Sequence, residues 1–533
     1  MGKLSLFGLF LVTISICIVA GCDNKKNESA VGGDDKFTAP VGMKGDSRYG
    51  SVLKIGGGST AARFGDPTAL RGPSAIFMGY AAQGLIAVTA KPNVFEPVLA
   101  TSWELAEDRK SYTFKLRQGV KFHDGSPFNA HVVKWNHERI LESDRPILTK
   151  VTSIDVIDDY TIKYNLSNWD SIVLYEFSLS TCFIISQAAA EKNGVKWLET
   201  NIVGTGPFKL KDYKRSTHHI YEKFDDYWVE GLPYLDGIEY YMIADPMTQL
   251  ASLKKGEINA LREVDIIMAE EIEEFGGFYI EYITSGTMMM WYNNTDPESC
   301  WSDRRMREAL EYAIDKDTIT KTLGKGYVHA IYEVLGGIHE AGDPGTAPRK
   351  YDPQKAKQLI AEAGYPDGLK IPFFTVTRFY DDFMVALQND LAKVGIELTV
   401  NRLESATWRE KTLSIPVPNT LLYDRGRGGV ARMLPIFKED LATETVFYPG
   451  VTRPHGWDEL LNTALMESDP EKMVDVIEEM ERRAYGEVLF VPLWTAPGII
   501  ITTNNVKWDK EVRESVWYMG QAPASRLEYA WIE

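Results

Sequence analysis

The sequence predicts a mixed α/β fold, and three observations carry that prediction. Short segments with strand-like alternation recur along the chain. Between them stand segments with apolar residues at helical spacing, opened by Asp or Asn and closed by Gly. The composition, 44% hydrophobic and 11% aromatic over 533 residues, provides for a large core. Length alone suggests two to four domains. Strands that alternate with helices over a whole chain belong to the mixed class.

Taken in order, Ser51–Ile55 (SVLKI) is the first expected strand. Gly56-Gly57-Gly58 follows it as a glycine-permitted turn at a cleft edge. Tyr112–Leu116 (YTFKL) alternates as a strand does and runs into a turn at Gln118-Gly119. Asn129 caps a helix carrying Val132, Val133 and Trp135 through Ile140. The segment GTMMMWYNN reads as a strand ending at Trp291-Tyr292-Asn293-Asn294. Asp303 opens a helix with Met306, Ala309, Leu310, Ala313 and Ile314 on one face. Asp352-Pro353 opens another, with Ala356, Leu359, Ile360 and Ala363 inward and Gly364 closing it. Asp469-Pro470 starts a third, with Met473, Val476, Ile477, Met480 and Ala484 at helical spacing. Asp as the cap, Pro in the first turn and Gly past the end each match what a helix terminus needs. Tyr423-Asp424-Arg425-Gly426-Arg427-Gly428-Gly429 has no apolar period and reads as an exposed or cleft-facing loop, whose forked guanidinium donors suit a carboxylate.

The chain carries 58 Lys and Arg against 75 Asp and Glu, a net charge of −17. That balance argues against nucleic acid, whose phosphates need Lys and Arg, and against broad binding to anionic lipid. At the N-terminus, Lys3 precedes an apolar stretch from Leu4 to Ala20 that stops at Val19-Ala20-Gly21-Cys22. One basic residue, an apolar run and small residues at its end form a secretory signal; the alternative is an uncleaved anchor, since about 20 apolar residues span a bilayer. The Ala-Gly-Cys order resembles the lipobox of bacterial lipoproteins. In that class the cysteine corresponding to Cys22 takes a diacylglyceryl thioether and becomes the new N-terminus, which implies an extracytoplasmic protein held to the membrane by lipid. Residues 22–49, rich in Gly, Asp, Lys and Ser, form a solvated linker. Some 25 flexible residues would hold a globular body about 25–30 Å from the lipid.

Of the four cysteines only Cys182 and Cys300 lie beyond the signal. They are expected as two unpaired, largely buried thiols. Chemistry motifs are scarce. Gly56–Ala61 fits G-x-G-x-x-A, but Gly65, Pro67, Gly72 and Pro73 interrupt the helix a dinucleotide site requires. No P-loop, HExxH or GxSxG pattern is present. His218-His219 are adjacent, so on a strand they face opposite sides and cannot chelate together. With eight histidines and no ligand spacing, no protein-built metal site, cofactor or nucleophile–base set is expected.

Six stretches in order then carry a resemblance. Pro97–Glu104 (PVLATSWE), Tyr112–Arg117 with Val120–Gly125 (VKFHDG), Val203–Phe208 (VGTGPF), Asp226–Trp228 with Leu232–Ile238 (LPYLDGI), Asp303–Asp315, and Tyr351–Ala356 with Ala363–Tyr365 resemble the peptide/nickel family of bacterial extracellular solute-binding proteins, which includes the oligopeptide- and dipeptide-binding receptors of ATP-driven importers. The resemblance implies a two-lobed, periplasmic-binding-protein-like fold with a hinge and an extra domain inserted on the first lobe. Carried onto this chain, lobe I takes 50–75, 190–285 and 500–533, the inserted domain 76–189, and lobe II 286–499. It further implies a monomeric receptor that is not an enzyme, with a small-molecule solute and permease subunits as partners. The matching ligand-contact positions are Gly58, Ser59 and Thr60; Trp291, Tyr292 and Asn293; Trp408; and Tyr423, Asp424, Arg425 and Arg427. Where peptide-binding members carry an aspartate for the peptide's amino group, this chain has YDRGRGGVARMLP, with Asp424 about four residues early. Peptides remain the first expectation, an anionic solute or a metal chelate the alternative, and an exported hydrolase the competing class.

Overall fold

The computed structural model describes residues 47–61, 63–70, 74–89, 94–143, 147–333, 347–376, 381–412, 417–427, 442, 448–508 and 526–533, with the side chains of 283–285, 405–406, 409, 412, 424–427 and 470 outside that description. The signal segment, Cys22 and all of the expected linker before residue 47 therefore lie outside the described residues, as do the side chains of Asp424, Arg425 and Arg427.

In chain order the strands are β1 (Val52–Gly57), β2 (Ile86–Val88), β3 (Phe95–Pro97), β4 (Ala100–Leu105), β5 (Ser111–Leu116), β6 (Val151–Asp158), β7 (Thr161–Leu166), β8 (Phe208–Lys214) and β9 (His218–Lys223). They continue as β10 (Gly237–Met242), β11 (Ala260–Val264), β12 (Phe278–Tyr292), β13 (Leu369–Val376), β14 (Ile396–Leu403), β15 (Leu421–Arg427), β16 (Val491–Thr503), β17 (Val506–Trp508) and β18 (Ala530–Ile532). Ten of them form one sheet in the order β14-β13-β15-β12-β16-β11-β1-β10-β9-β8; a separate four-stranded sheet runs β4-β5-β7-β6, and β2-β3 and β17-β18 are pairs.

Local sequence explains most elements. β5 buries Tyr112, Phe114 and Leu116 while Lys115 stays exposed, the period-two pattern of a half-buried strand. Asn129 Oδ1 accepts from Val132 N at 3.1 Å, and Asp303, Asp352 and Asp469 cap their helices through backbone N–H groups in the same way. Each cap satisfies a donor that the first helical turn leaves orphaned. The helices Arg304–Ala313, Pro353–Glu362 and Asp381–Lys393 bury Met306, Leu310, Leu359, Ile360, Leu387 and Leu391 in a core shared with Met288, Met290 and Tyr423 of the sheet. A second core, with Trp457, Leu461, Met473 and Ile477, takes up Trp291 and Leu422 from the neighbouring register positions.

Three expectations are corrected. β1 continues through Gly57, so Gly56 and Gly57 are strand residues: a Cβ on Gly56 would stand 2.7 Å from Ile258 Cδ1, and one on Gly57 2.4 Å from Tyr240 Oη. Glycine serves there for close approach, not for a turn. The strand expected at GTMMMWYNN begins already at Phe278. Tyr423–Arg427 is no loop but most of β15, because pairing to β12 and β13 supplies from outside what its sequence lacks. Gly204 and Gly206 of the VGTGPF stretch also work by close approach, a Cβ at each falling within 2.1 and 2.7 Å of the Ala81 backbone. Cys182 and Cys300 are buried free thiols, and burial pushes the Cys300 thiol up to about 12. Among the described residues no helix is long and apolar enough to cross a membrane.

Candidate ligand-binding site

Two long strands build the centre of the molecule. β12, 15 residues long, and β16, 13 residues long, pair antiparallel from Phe278↔Thr503 to Met290↔Val491. Toward one end β16 also pairs with β11, and toward the other β12 pairs with β15. The register shifts between Thr284 and Gly286, where one half of the sheet gives way to the other. A bulge bends a strand and raises its local twist, and this one lies where the two halves of the sheet meet.

Strand directions converge on that crossing. β1 lies parallel between β10 and β11, and β11 ends at Val264 opposite Ile499, three residues along β16 from the Ala496 that faces Gly286. In the other half β13 lies parallel between β14 and β15, and β15 ends with Arg427 opposite Gly286. The carboxyl ends of both parallel sets thus point at the crossing from opposite sides. Ligands of open α/β sheets bind outside the carboxyl ends of parallel strands, where loops and orphan N–H groups collect.

Gly58, Ser59 and Thr60 follow β1 directly and are exposed or half-buried. Ser59 Oγ donates to the Glu263 carboxylate, at 2.5 and 2.6 Å from its two oxygens. Tyr240 Oη donates to Ser59 O at 2.9 Å, and its hydroxyl is held well above its usual range, first by burial, then by Glu263 and Tyr80, with Arg262 opposing. Arg262 Nη1 donates to Tyr80 Oη at 3.2 Å. Arg262 and Glu263 were missed by sequence reasoning; the available signal was a charged pair placed directly after the apolar strand residues Ala260-Leu261.

In the other half, Trp408 sits on the helix Ser405–Thr412 just past β14, its ring buried. Backbone register places Asp424 opposite Met289, Arg425 opposite Met288 and Arg427 opposite Gly286, so both arginines stand at the crossing. The remaining expected contacts do not gather there. Tyr423 is fully buried in the core, its ring 5.9 Å from Phe373 and 6.3 Å from Trp494. Tyr292 stacks on Trp301 with ring centroids 5.6 Å apart, and its hydroxyl donates to Val488 O. Asn293 closes a turn, its Oδ1 accepting from Thr295 N at 3.2 Å and Oγ1 at 2.8 Å. Trp291 lies at the far end of β12 from the crossing, against Tyr448 with centroids 4.5 Å apart. A strand of this length spans roughly 50 Å, which is why neighbours in sequence need not share a site.

Further contacts lie away from the crossing. Val88 of β2 and Ile172 and Tyr175 share one buried cluster with Trp291, Trp408 and Tyr448. Ser171 N donates to Leu465 O at 2.8 Å and Arg109 Nη1 to Met466 O at 3.2 Å.

The family model for bacterial extracellular solute-binding proteins, family 5 Middle, matches residues 94–417, more than half of the chain. The glutathione-binding protein GsiB of Escherichia coli (strain K12) is 31% identical over 331 residues, 61% of this chain and 64% of that protein. GsiB of Pectobacterium atrosepticum is 30% identical over 318 residues, 58% and 61% of the two chains. The match spans less than two thirds of these relatives' length. Among solved structures, DppA from Helicobacter pylori in complex with the peptide STSA aligns with a TM-score of 0.74 at 22% identity, over 91% of this chain and 99% of that one. AgaA from A.tumefacien R10 in complex with agropinic acid aligns at 0.71 and 23%, over 91% and 99%. The fold is the two-lobed α/β architecture of periplasmic binding proteins. With that fold and the match over residues 94–417, the chain belongs to the bacterial extracellular solute-binding proteins of family 5.

Proposed function

We propose that this protein captures a peptide or peptide-like solute between its lobes and delivers it to an ABC importer without altering it chemically. The observation that carries this is the convergence of both sets of parallel-strand carboxyl ends on the β12/β16 crossing. A hinge beside a site lets closure hide the ligand from water and create a shape a permease recognises. The glutathione-binding relatives and the peptide complex of DppA support the ligand class. Lobe I would comprise 50–75, 190–285 and 500–533, with 76–189 inserted and 286–499 as lobe II; the separate β2-β3 and β4-β5-β7-β6 sheets within 76–189 favour that division. The protein would work as a monomer. Native mass spectrometry of residues 50–533, purified without refolding and repeated after denaturation, tests the proposal: a released solute of peptide-like mass supports it, and turnover of added peptides opposes it.

A second reading, an anionic organic solute, is favoured by the position of Arg425 and Arg427 at the crossing. Guanidinium pairs grip carboxylates with forked donors. Replacing both with Gln is expected to weaken binding of the released solute by roughly 2–5 kcal/mol with folding intact. Unchanged affinity by calorimetry would remove them from the site.

The lipid anchor at Cys22 is part of the same proposal, and would place the binding body on the outer side of the cytoplasmic membrane. Cys22→Ser is expected to abolish incorporation of a radiolabelled fatty acid in cells; continued labelling would rule out Cys22 as the acceptor.

A further inference from the structure

At the lobe I side of the crossing, Arg262 and Glu263 stand on consecutive residues, yet no ion pair joins them or ties either to another charged group among the described residues. Arg262 is half-buried and donates only to the Tyr80 phenol, at 3.2 Å. A guanidinium partly withdrawn from water without an anionic partner is costly to keep. Glu263 is exposed, sits in the β11 bulge between Arg262 and Val264, and has φ of +59°. A non-glycine residue holds that conformation only where its surroundings impose it, and such strain collects at functional positions. Its carboxylate is aimed by Ser59 Oγ at 2.5 and 2.6 Å. Ser59 is in turn fixed by the Tyr240 hydroxyl on its carbonyl, at 2.9 Å. The same hydroxyl lies within electrostatic reach of Arg262, Glu263 and Tyr80. The two opposite charges therefore flank one buried phenol, held open to a third party and rigid at the site's edge.

We infer that Arg262 and Glu263 form a head-group subsite, in which Arg262 takes a ligand carboxylate and Glu263 the ammonium carried on the same carbon. The inference rests on the solute-binding proposal above. Adjacent strand residues ordinarily face opposite sides, but the bulge at Glu263 re-aims its side chain, so two charges around one hydroxyl match a compact zwitterion and not the separated termini of an extended peptide. A purely structural arginine bracing Tyr80 would show no preference between such ligands.

Two isomers separate these cases. γ-Glutamyl-leucine carries its ammonium and a free carboxylate on one carbon; α-glutamyl-leucine has the same formula and formal charge but commits that carboxyl to the peptide bond. By titration calorimetry the wild-type protein is expected to bind the γ isomer at least roughly tenfold tighter than the α isomer. Arg262→Gln and Glu263→Gln should each close that gap, with an unchanged thermal midpoint, and Arg262→Lys should restore part of it. Should Arg262→Gln fail to fold, Glu263→Gln, at an exposed position, carries the test alone. Equal binding of both isomers, or a preference that survives both Gln variants, overturns the subsite while leaving the peptide proposal standing. Binding of neither isomer counts against both.

Discussion

Lys316→Met is expected to lower the free energy of unfolding by about 3–5 kcal/mol. Lys316 and Glu311 are 0% and 1% exposed, with Nζ 2.7 Å from Oε2. The ammonium also donates to Ile331 O at 3.4 Å and lies 4.8 Å from the Tyr332 ring centroid. Burial lowers the lysine's pKa, and Glu311 opposes that shift. Removing the cation leaves a buried carboxylate with no partner for its other oxygen, Oε1, among the described residues. The loss therefore measures stranding a charge, not the net value of the pair. Lys316→Met combined with Glu311→Leu should recover most of it, because two apolar side chains of similar volume need no pairing. Denaturant unfolding checks both. A single variant within about 1 kcal/mol of wild type would show that water or local rearrangement already solvates the pair.

A second large effect is expected below neutral pH. Three histidines are built into the fold in the neutral form. His137 Nε2 donates to Cys182 O at 3.1 Å, leaving Nδ1 to accept from Tyr164 Oη at 2.6 Å. His123 Nε2 donates to Gly206 O at 3.0 Å while its Nδ1 accepts from Gly204 N at 3.4 Å. His219 stacks on Phe77 at 4.0 Å between centroids, and neither ring nitrogen has a hydrogen-bond partner among the described residues. Burial pushes the first two down to about 4 and His219 to about 3. Their unfolded value is near 6.5, so their stabilising contribution is complete above that pH and is lost as pH falls toward 4 and 3. At pH 5 each is expected to subtract about 2 kcal/mol. Glu528 acts in the opposite sense: burial raises its carboxyl to about 7, so its contribution is lost as pH rises through that value. The clean measurement is therefore a difference. Between pH 7 and 5, His219→Leu should lose stability less steeply than wild type, read from urea midpoints. Parallel slopes would mean that His219 is reached by water and protonates in the fold.

What was legible in the sequence was what neighbours along the chain decide. Asn129, Asp303, Asp352 and Asp469 announce helix starts because a cap needs only an oxygen two or three residues from an orphan N–H. The alternation of Tyr112–Leu116 announces a strand because one face is buried and one is wet. The ordered stretches from Pro97 to Tyr365 were enough to identify the family, and they are largely folding devices, as the approach of Gly204 and Gly206 to Ala81 makes plain.

Only the tertiary structure decided which residues meet. Tyr423–Arg427 carries no strand pattern, yet it is a strand because β12 pairs with it along its whole length and β13 joins at Tyr423. Trp291, Tyr292 and Asn293 look like one aromatic site but divide between two cores and a turn, since alternate residues of a strand face opposite sides. Glu263 stands more than 200 residues from Ser59 and meets it only because β11 and β1 run parallel in register, Gly56 beside Leu261. Local propensity and capping act over a few residues and can be read along the chain. Which strands become neighbours, and so which charges face a ligand, depends on long-range pairing that no short window of sequence contains.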